Sequence, residues 1–423
     1  MSVDRSKAPG FYLPESFDLT PPVSGTTATG VSVFFFPTPG IEAVKIEVVG
    51  QSSRHFLPID QQLVPSFTLQ MLQEGTRTKS DAEIANYLDF HASEISIHLS
   101  YTQEGIQLVS TKKHLSEVLP IFLDLFTECT FPDSILEKRK TQRKLSLQLE
   151  REKNASRASV LFRKALFGDS HHYGAEVIPE QVDLIDSTSL RHYYDQNLWT
   201  NLTVFVAGNL NSGEFEQLVK DFSKIPNRAK SIKSYIQPPA TVHKIHEERA
   251  NSVQTSIRLG SWSVSKTHAD FQALSVFNTM LGGYFGSRLI KNIREDKGHT
   301  YGISSHLVEI GDFNYWVIGA DVEKSKTSLV IDEIHQEIQR LVNEPIPLDE
   351  LETVRNYLLG QLLSRFSSSF ELIDRFRAVH DSGLDFGYYH EKFDFLKKFT
   401  AEQLQEVGKK YFSGNTPVEV TVG

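Results

Sequence analysis

The order of apolar segments in the first half of the chain is repeated in the second. Ala43-Val-Lys-Ile-Glu-Val-Val49 alternates apolar and polar residues and ends at Gly50; Val253-Gln-Thr-Ser-Ile-Arg-Leu259 does the same and ends at Gly260. Such alternation predicts half-buried strands. After the first strand the spacing of Leu63, Phe67 and Met71 predicts a helix over 60–73, and a second is expected over 81–90 with Ser80 as N-cap. After the second strand come matching segments over 269–281 and 286–295. Further strands are expected at 95–98 and 106–110, with the latter matched by 313–319. Phe131-Pro-Asp-Ser opens a long charged helix running to about Ser156, as Pro347-Leu-Asp-Glu-Leu opens another. Strands at 202–207 and 418–423 close the two halves.

A repeat of this length predicts internal duplication. Strands and helices are grouped within each half outside a strict βαβ alternation. The expected fold class is α+β: two homologous α/β-sandwich halves, each a largely antiparallel sheet packed with helices. The halves are expected at 1–224 and 243–423, with a Pro-rich linker over 225–242; residues 1–29 read as an extended lead-in.

Several function classes are excluded at this level. A formal charge of -9 argues against a nucleic-acid partner, because neutralising phosphates needs a basic surface. The single cysteine, Cys129, provides neither a disulfide framework nor a thiolate metal site. No stretch has the length of a membrane span, and Met1-Ser-Val-Asp-Arg lacks an apolar leader core, so no membrane partner is expected. The chain is read as soluble and cytoplasmic unless a targeting segment was removed. No phosphate-binding loop, nucleophile elbow or dinucleotide fingerprint is found.

The stretch from Leu281 to Ser305 draws attention to itself. Gly282, Gly283 and Gly286 let backbone turn or approach a partner closely. Arg294 carries a planar donor fork and Tyr301 a neutral phenolic donor. Together they could grip a peptide carbonyl and steady charge developing on its oxygen. The alternative is structural: Arg294 paired with Glu295 or Asp296 on a solvated face, and Tyr301 packed in a core.

Leu-Gly-Gly-x-x-x-Ser-Arg-Leu followed by Ile-Arg-Glu-Asp-Lys-Gly-x-x-Tyr resembles the second half of the pitrilysin/insulinase superfamily of zinc metallopeptidases. Met71-Leu-Gln-Glu-Gly-Thr76, His172-Tyr-Gly174 and Thr203-Val-Phe-Val-Ala-Gly208 resemble its first half. The resemblance implies two related α+β halves around a chamber that binds peptides in extended form. It also implies that Arg294 and Tyr301 hold the scissile peptide opposite a zinc ion, and that Gly282, Gly283 and Gly286 belong to the substrate-binding loop.

The departure lies in the metal site. Catalytic members carry His-x-x-Glu-His on the first-half helix, in which two imidazoles reach one zinc and the glutamate activates its water. Here those positions hold Ser66, Leu69 and Gln70, and the third-ligand region holds Ser146, with Glu150 offset by about a turn. Ser and Gln are poor zinc ligands, and Leu cannot take a proton. Neither other histidine cluster offers a substitute: His171 and His172 are adjacent and cannot both face one ion in a regular helix or strand, and His243-x-x-His246-Glu247 reads as a solvated connector. No cofactor is expected in this chain. The resemblance implies a zinc-free subunit whose homologous partner bears the zinc, with a homodimer possible in isolation. A catalytically inert scaffold or peptide-binding protein, like core subunits of respiratory complexes, is the other reading.

Overall fold

A computed structural model describes residues 17–230, 242–366, 369–414 and 416–423. Most of the expected linker, residues 231–241, and the first part of the lead-in, residues 1–16, lie outside the described residues. Strands β1 (Val23–Thr26), β2 (Ser32–Pro37), β3 (Ala43–Gln51), β4 (Glu94–Leu99), β5 (Gln103–Thr111) and β6 (Thr203–Gly208) form one sheet in the order β1-β2-β6-β3-β5-β4. Strands β7 (Lys244–Glu247), β8 (Gln254–Trp262), β9 (Thr300–Ile310), β10 (Phe313–Glu323) and β11 (Val418–Val422) form a second, in the order β7-β11-β8-β10-β9.

The two orders are the same once β1 is set aside. β2 runs parallel to β6 as β7 does to β11, and the remaining neighbours are antiparallel in both sheets. The duplication and the fold class are therefore as the sequence predicts, with one parallel pair in each sheet. β9 was not anticipated. It stands where β4 stands in the first sheet, and it carries Tyr301.

Helices follow the predicted order with altered limits. α1 (Val64–Met71) is shorter than the expected 60–73, because the chain ahead of it forms tight turns at Arg54–Phe56 and Ile59–Gln61. α2 (Asp81–Phe90) begins at a capping box, in which Ser80 accepts from the Glu83 N–H and Glu83 accepts from the Ser80 N–H. The long helix ends early. α3 (Asp133–Glu152) stops where Lys153 adopts extended backbone, and α4 (Asn154–Phe167) restarts in a new direction. The helix expected over 286–295 is present but shifted and widened: it starts at Arg288 and runs as a π-helix over Ile290–Asp296.

The break at Lys153 sends α4 onto the other half's sheet. Ala158, Leu161, Phe162 and Ala165 pack with Tyr315, Val418, Val420 and Val422 in one buried cluster. The contact is close: a Cβ on Gly260 would lie 2.8 Å from Phe162 Cζ. Asn154 Nδ2 donates to Ser252 Oγ at 2.7 Å, and Arg157 Nε donates to Glu247 Oε2 at 2.7 Å. The second half reciprocates. α5 (Ser369–His380) covers the first sheet, where Phe376 and His380 meet the Phe34 ring at 5.0 and 4.8 Å.

This explains why β3 is buried on both faces. Val44, Ile46 and Val48 enter the first core, as their alternation requires. Lys45 and Glu47, on what reads as the solvent face, are 7% and 4% exposed. They pair with each other at 2.6 Å; α5 adds Asp374, 3.3 Å from Lys45, and Arg377, 3.2 Å from Glu47. Alternation marks the polar face correctly but cannot show that another half's helix covers it. Among the described residues no helix is long and apolar enough to cross a membrane.

Two outcomes follow. Phe162→Ala should destabilise the protein by about 3–5 kcal/mol, the usual result of truncating a buried aromatic. Urea denaturation followed in each sheet should show one transition, since each half is completed by the other's helix. The second concerns Glu104, fully buried in β5, whose carboxyl takes the Tyr193 hydroxyl at 2.7 Å. Burial pushes this carboxyl up to about 8, against the lowering effect of the Tyr193 bond. A raised pKa means the folded chain holds the proton more tightly than the unfolded one. The associated stability is present below the ordinary carboxylate range and lost as pH rises through about 8. Glu104→Gln should therefore lose about 1–3 kcal/mol less than the unaltered chain between pH 5 and 9, measured by urea midpoints.

Candidate functional site

Two surfaces bear on the expected chemistry. On α1, Ser66 Oγ donates to the Leu63 carbonyl at 2.8 Å. Leu69 is 0% exposed within the first core, while Gln70 is exposed. On α3, Ser146 Oγ donates to Glu150 Oε1 at 2.7 Å, and Arg143 Nη1 donates to the same oxygen at 3.0 Å. This set does not fit a zinc ion. It offers a hydroxyl turned to its own helix, a buried hydrocarbon, an amide and a carboxylate already held by an arginine. Among the described residues no group of three or more His, Cys, Asp or Glu could hold a metal ion.

The other histidines have local work. His172 Nε2 lies 2.7 Å from the Leu57 carbonyl, and the His171 ring stacks on Phe167 at 4.9 Å. Burial first, and the neighbouring His172 second, push His171 down to about 4. His246 bonds Thr421 and Glu248, at 2.9 and 3.0 Å, and Glu247 pairs with Arg157 and Arg249.

The second surface is the segment from Gly282 to Tyr301. It is clamped from beneath at three points. Asn278 and Ser305 exchange hydrogen bonds, Nδ2 to carbonyl at 3.0 Å and hydroxyl to Oδ1 at 2.6 Å, which ties the preceding helix to β9. Arg288 forms a two-pronged pair with Glu350, both bonds at 2.8 Å. Asn292 Nδ2 donates to Glu333 at 3.0 Å and to Glu337 at 2.8 Å. Lys297, donating to Glu333, holds that carboxyl below the usual range. Two-pronged arginine pairs fix orientation as well as position. Sequence reading did not single out Arg288 or Asn292. A signal was available only in part, since the acidic partners are more than 40 residues away.

Above these clamps the expected residues face solvent. Tyr301, second residue of β9, is 91% exposed, so it is not a core tyrosine. Arg294 is exposed, with its guanidinium 5.1 Å from the centre of the Phe285 ring. No carboxylate lies within 4.0 Å of it among the described residues, so the expected alternative of pairing with Glu295 or Asp296 is not what the fold adopts. Phe285, 63% exposed, was also not singled out. Of the three glycines, Gly282 is required by packing: a Cβ there would lie 2.8 Å from Ser305 Cβ and 2.9 Å from its nitrogen. Gly283 is exposed, and Gly286 sits under the Tyr284 ring, 2.8 Å from where its Cβ would be.

Residues 185–358 match the family described as Peptidase M16 inactive domain. An uncharacterized zinc protease of Bacillus subtilis, YmxG, is 24% identical over 354 residues, covering 83% of this chain and 86% of that one. The Helicobacter pylori non-peptidase homolog YmxG is 23% identical over 300 residues, covering 69% and 68%. Among solved structures, a peptidase M16 inactive domain from Pseudomonas fluorescens has a TM-score of 0.84 at 20% identity, over 95% of this chain and 97% of that one. A chain of complex III2 from Candida albicans has a TM-score of 0.74 at 14% identity, over 95% of each. At these identities the structural likeness establishes the fold.

Leu69 and Gln70 offer a direct check on how α1 is packed. Leu69→Glu should destabilise the chain by about 3 kcal/mol or more, because it buries a carboxylate among hydrocarbon side chains. Gln70→His, on the exposed side, should change stability by less than about 0.5 kcal/mol. Urea midpoints of the two variants decide this.

Proposed function

Because the chain belongs to the pitrilysin/insulinase superfamily, we propose that it is the zinc-free, complementary subunit of a two-chain metallopeptidase. The observation that carries this reading is an asymmetry. The helix that corresponds to the family's metal helix has no ligand set, whereas Arg294 and Tyr301 stand exposed on a rigidly clamped segment. A group needed for folding alone would gain nothing from exposure; a donor awaiting a ligand requires it.

In this reading the partner is a homologous chain carrying His-x-x-Glu-His, and its zinc supplies the polarised water. An extended peptide lies between the two chains. Arg294 and Tyr301 donate to a peptide carbonyl, and their hydrogen bonds strengthen as charge develops on its oxygen. Phe285 stacks under the Arg294 guanidinium and limits its rotamers. Gly283 and Gly286 allow close backbone approach, and Gly282 acts indirectly by seating the segment on β9. Pairing with a second copy of itself would give a chamber without a metal helix on either side, and so without turnover.

The fold likeness to a complex III2 chain favours a second reading, an inert scaffold. It makes no use of the exposed pair, and Arg294→Ala would then leave every property of the assembly unchanged.

The test is reconstitution. The purified chain alone should contain substoichiometric zinc and cleave no peptide; mixed with a homologous zinc-bearing chain, it should support cleavage. In that pair Tyr301→Phe should lower kcat by about 10²-fold with little change in KM, the result of removing one oxyanion donor. Unchanged turnover removes Tyr301 from the mechanism, and peptidase activity with bound zinc in the single chain ends the proposal.

A further inference from the structure

A second open feature lies on the face of the second sheet that α4 only partly covers. It is a cleft of about 480 Å³ between α4 and strands β8, β9 and β10. Its shape follows from the strand register. Arg258 on β8 is paired across to Gly319 on β10, which is paired across to Ser304 on β9. That row presents a guanidinium, then no side chain, then a hydroxymethyl group. Gly302, nearer the start of β9, also lines the cleft, and a Cβ there would meet nothing within 4 Å. Gly319 makes room for the Arg258 guanidinium, whose Nη1 lies 3.2 Å from where a Cβ would be, and the floor is open at Gly302, while the flanking rows carry Val317 and Tyr315.

The charge in the cleft is unusual for a chain of net charge -9. Arg258 is held in place from α4 and its own strand. Its Nε donates to Ser159 Oγ at 3.2 Å, Nη1 to the Ile257 carbonyl at 2.8 Å and Nη2 to the Ala155 carbonyl at 3.2 Å. A guanidinium has five N–H groups, so one remains on each terminal nitrogen, the fork that takes a carboxylate by two parallel bonds. Arg163 stands on the α4 wall, steadied by Nε donating to the Tyr173 carbonyl at 3.3 Å and by the Tyr173 ring at 5.4 Å. Among the described residues neither arginine has a carboxylate within 4.0 Å. Asp321 also lines the cleft, and its carboxylate is engaged by the Ser256 hydroxyl.

We propose that this cleft is a carboxylate subsite of the peptide chamber, with Arg258 and Arg163 receiving an acidic group of the bound chain. The inference rests on the peptide-binding reading above and adds the chemistry of the substrate. It also gives a distance. Gly302 follows Tyr301 directly, so the cleft opens beside the carbonyl clamp. Two strand spacings and three residues of rise separate Tyr301 from Arg258, about 14 Å between backbones. An extended peptide covers that distance in about four residues. The acidic group therefore lies about four residues from the carbonyl that Tyr301 holds, whether it is an Asp or Glu side chain or the peptide's own C-terminus.

Three synthetic peptides of about ten residues, each labelled with a neutral fluorophore, test this on the full chain. One is neutral and capped at both ends. One carries a single internal Glu and an amidated end. One is neutral with a free C-terminal carboxylate. Binding is followed by anisotropy at low salt, on the unaltered chain and on Arg258→Gln and Ser304→Glu. The second variant fills the cleft from β9 and leaves the Arg258 anchors intact, so it reports even where Arg258→Gln fails to fold. One acidic peptide should bind about tenfold more tightly than the capped neutral one, and both variants should abolish that preference. Which acidic peptide shows it identifies side chain or chain end as the source. Equal affinity for all three, or a preference that survives Ser304→Glu, overturns the subsite and leaves the peptide chamber standing. Binding of none of the three, by the chain alone or mixed with a homologous zinc-bearing chain, overturns the chamber as well.

Discussion

Each half of this protein is finished by a helix from the other, and the rest of the structure is arranged around that exchange. α4 lies on the second sheet and α5 on the first, but the two contacts differ in chemistry. Under α4 the packing is mostly hydrocarbon, with Phe162 against the glycine gap at Gly260. Under α5 it combines a ring cluster with the buried Lys45 and Glu47 and their partners Asp374 and Arg377. Removing charges from water is costly, and mutual pairing offsets the cost only where the geometry is good. An ionic contact of this kind adds less to stability than to register: α5 fits the first sheet in one place.

The exchange also shapes the two open features. α4 covers β11 and part of β8 and grips Arg258, while the row beyond it, from Gly319 to Ser304, lines an open cleft. The segment bearing Arg294 and Tyr301 rises beside the same strand. It owes its rigidity to Arg288, Asn292 and the Asn278–Ser305 pair, all directed inward. Donors that point outward from a fixed base lose little further freedom on meeting a ligand, which is the condition under which they discriminate best between ground and transition states.

The first-half helix is different. With Leu69 in the core and Ser66 turned onto its own backbone, α1 is a packing element. A carboxylate at Leu69 would lack a partner there.

Much of this was legible in the residues. The period-two alternation of Ala43–Val49 and Val253–Leu259 depends only on the strand pleat, so it fixed the central strand of each sheet and exposed the duplication. The N-cap at Ser80 is local and legible in the residues; the structure adds Glu83 as its capping-box partner. The chemistry of Ser66, Leu69, Gln70 and Ser146 is legible from the residues alone, since hydroxyl, hydrocarbon and amide side chains are poor zinc ligands. What periodicity could not supply was everything settled by contacts distant in sequence. Lys45 and Glu47 read as solvated because their cover, α5, lies more than 300 residues away. The exposure of Tyr301, the widened π-helical winding at Ile290–Asp296, and the meeting of Arg258 with Gly319 and Ser304 arise from strand pairing and helix docking. Local sequence determines which face of an element is apolar; only the assembled fold decides what that face, or its opposite, is set against.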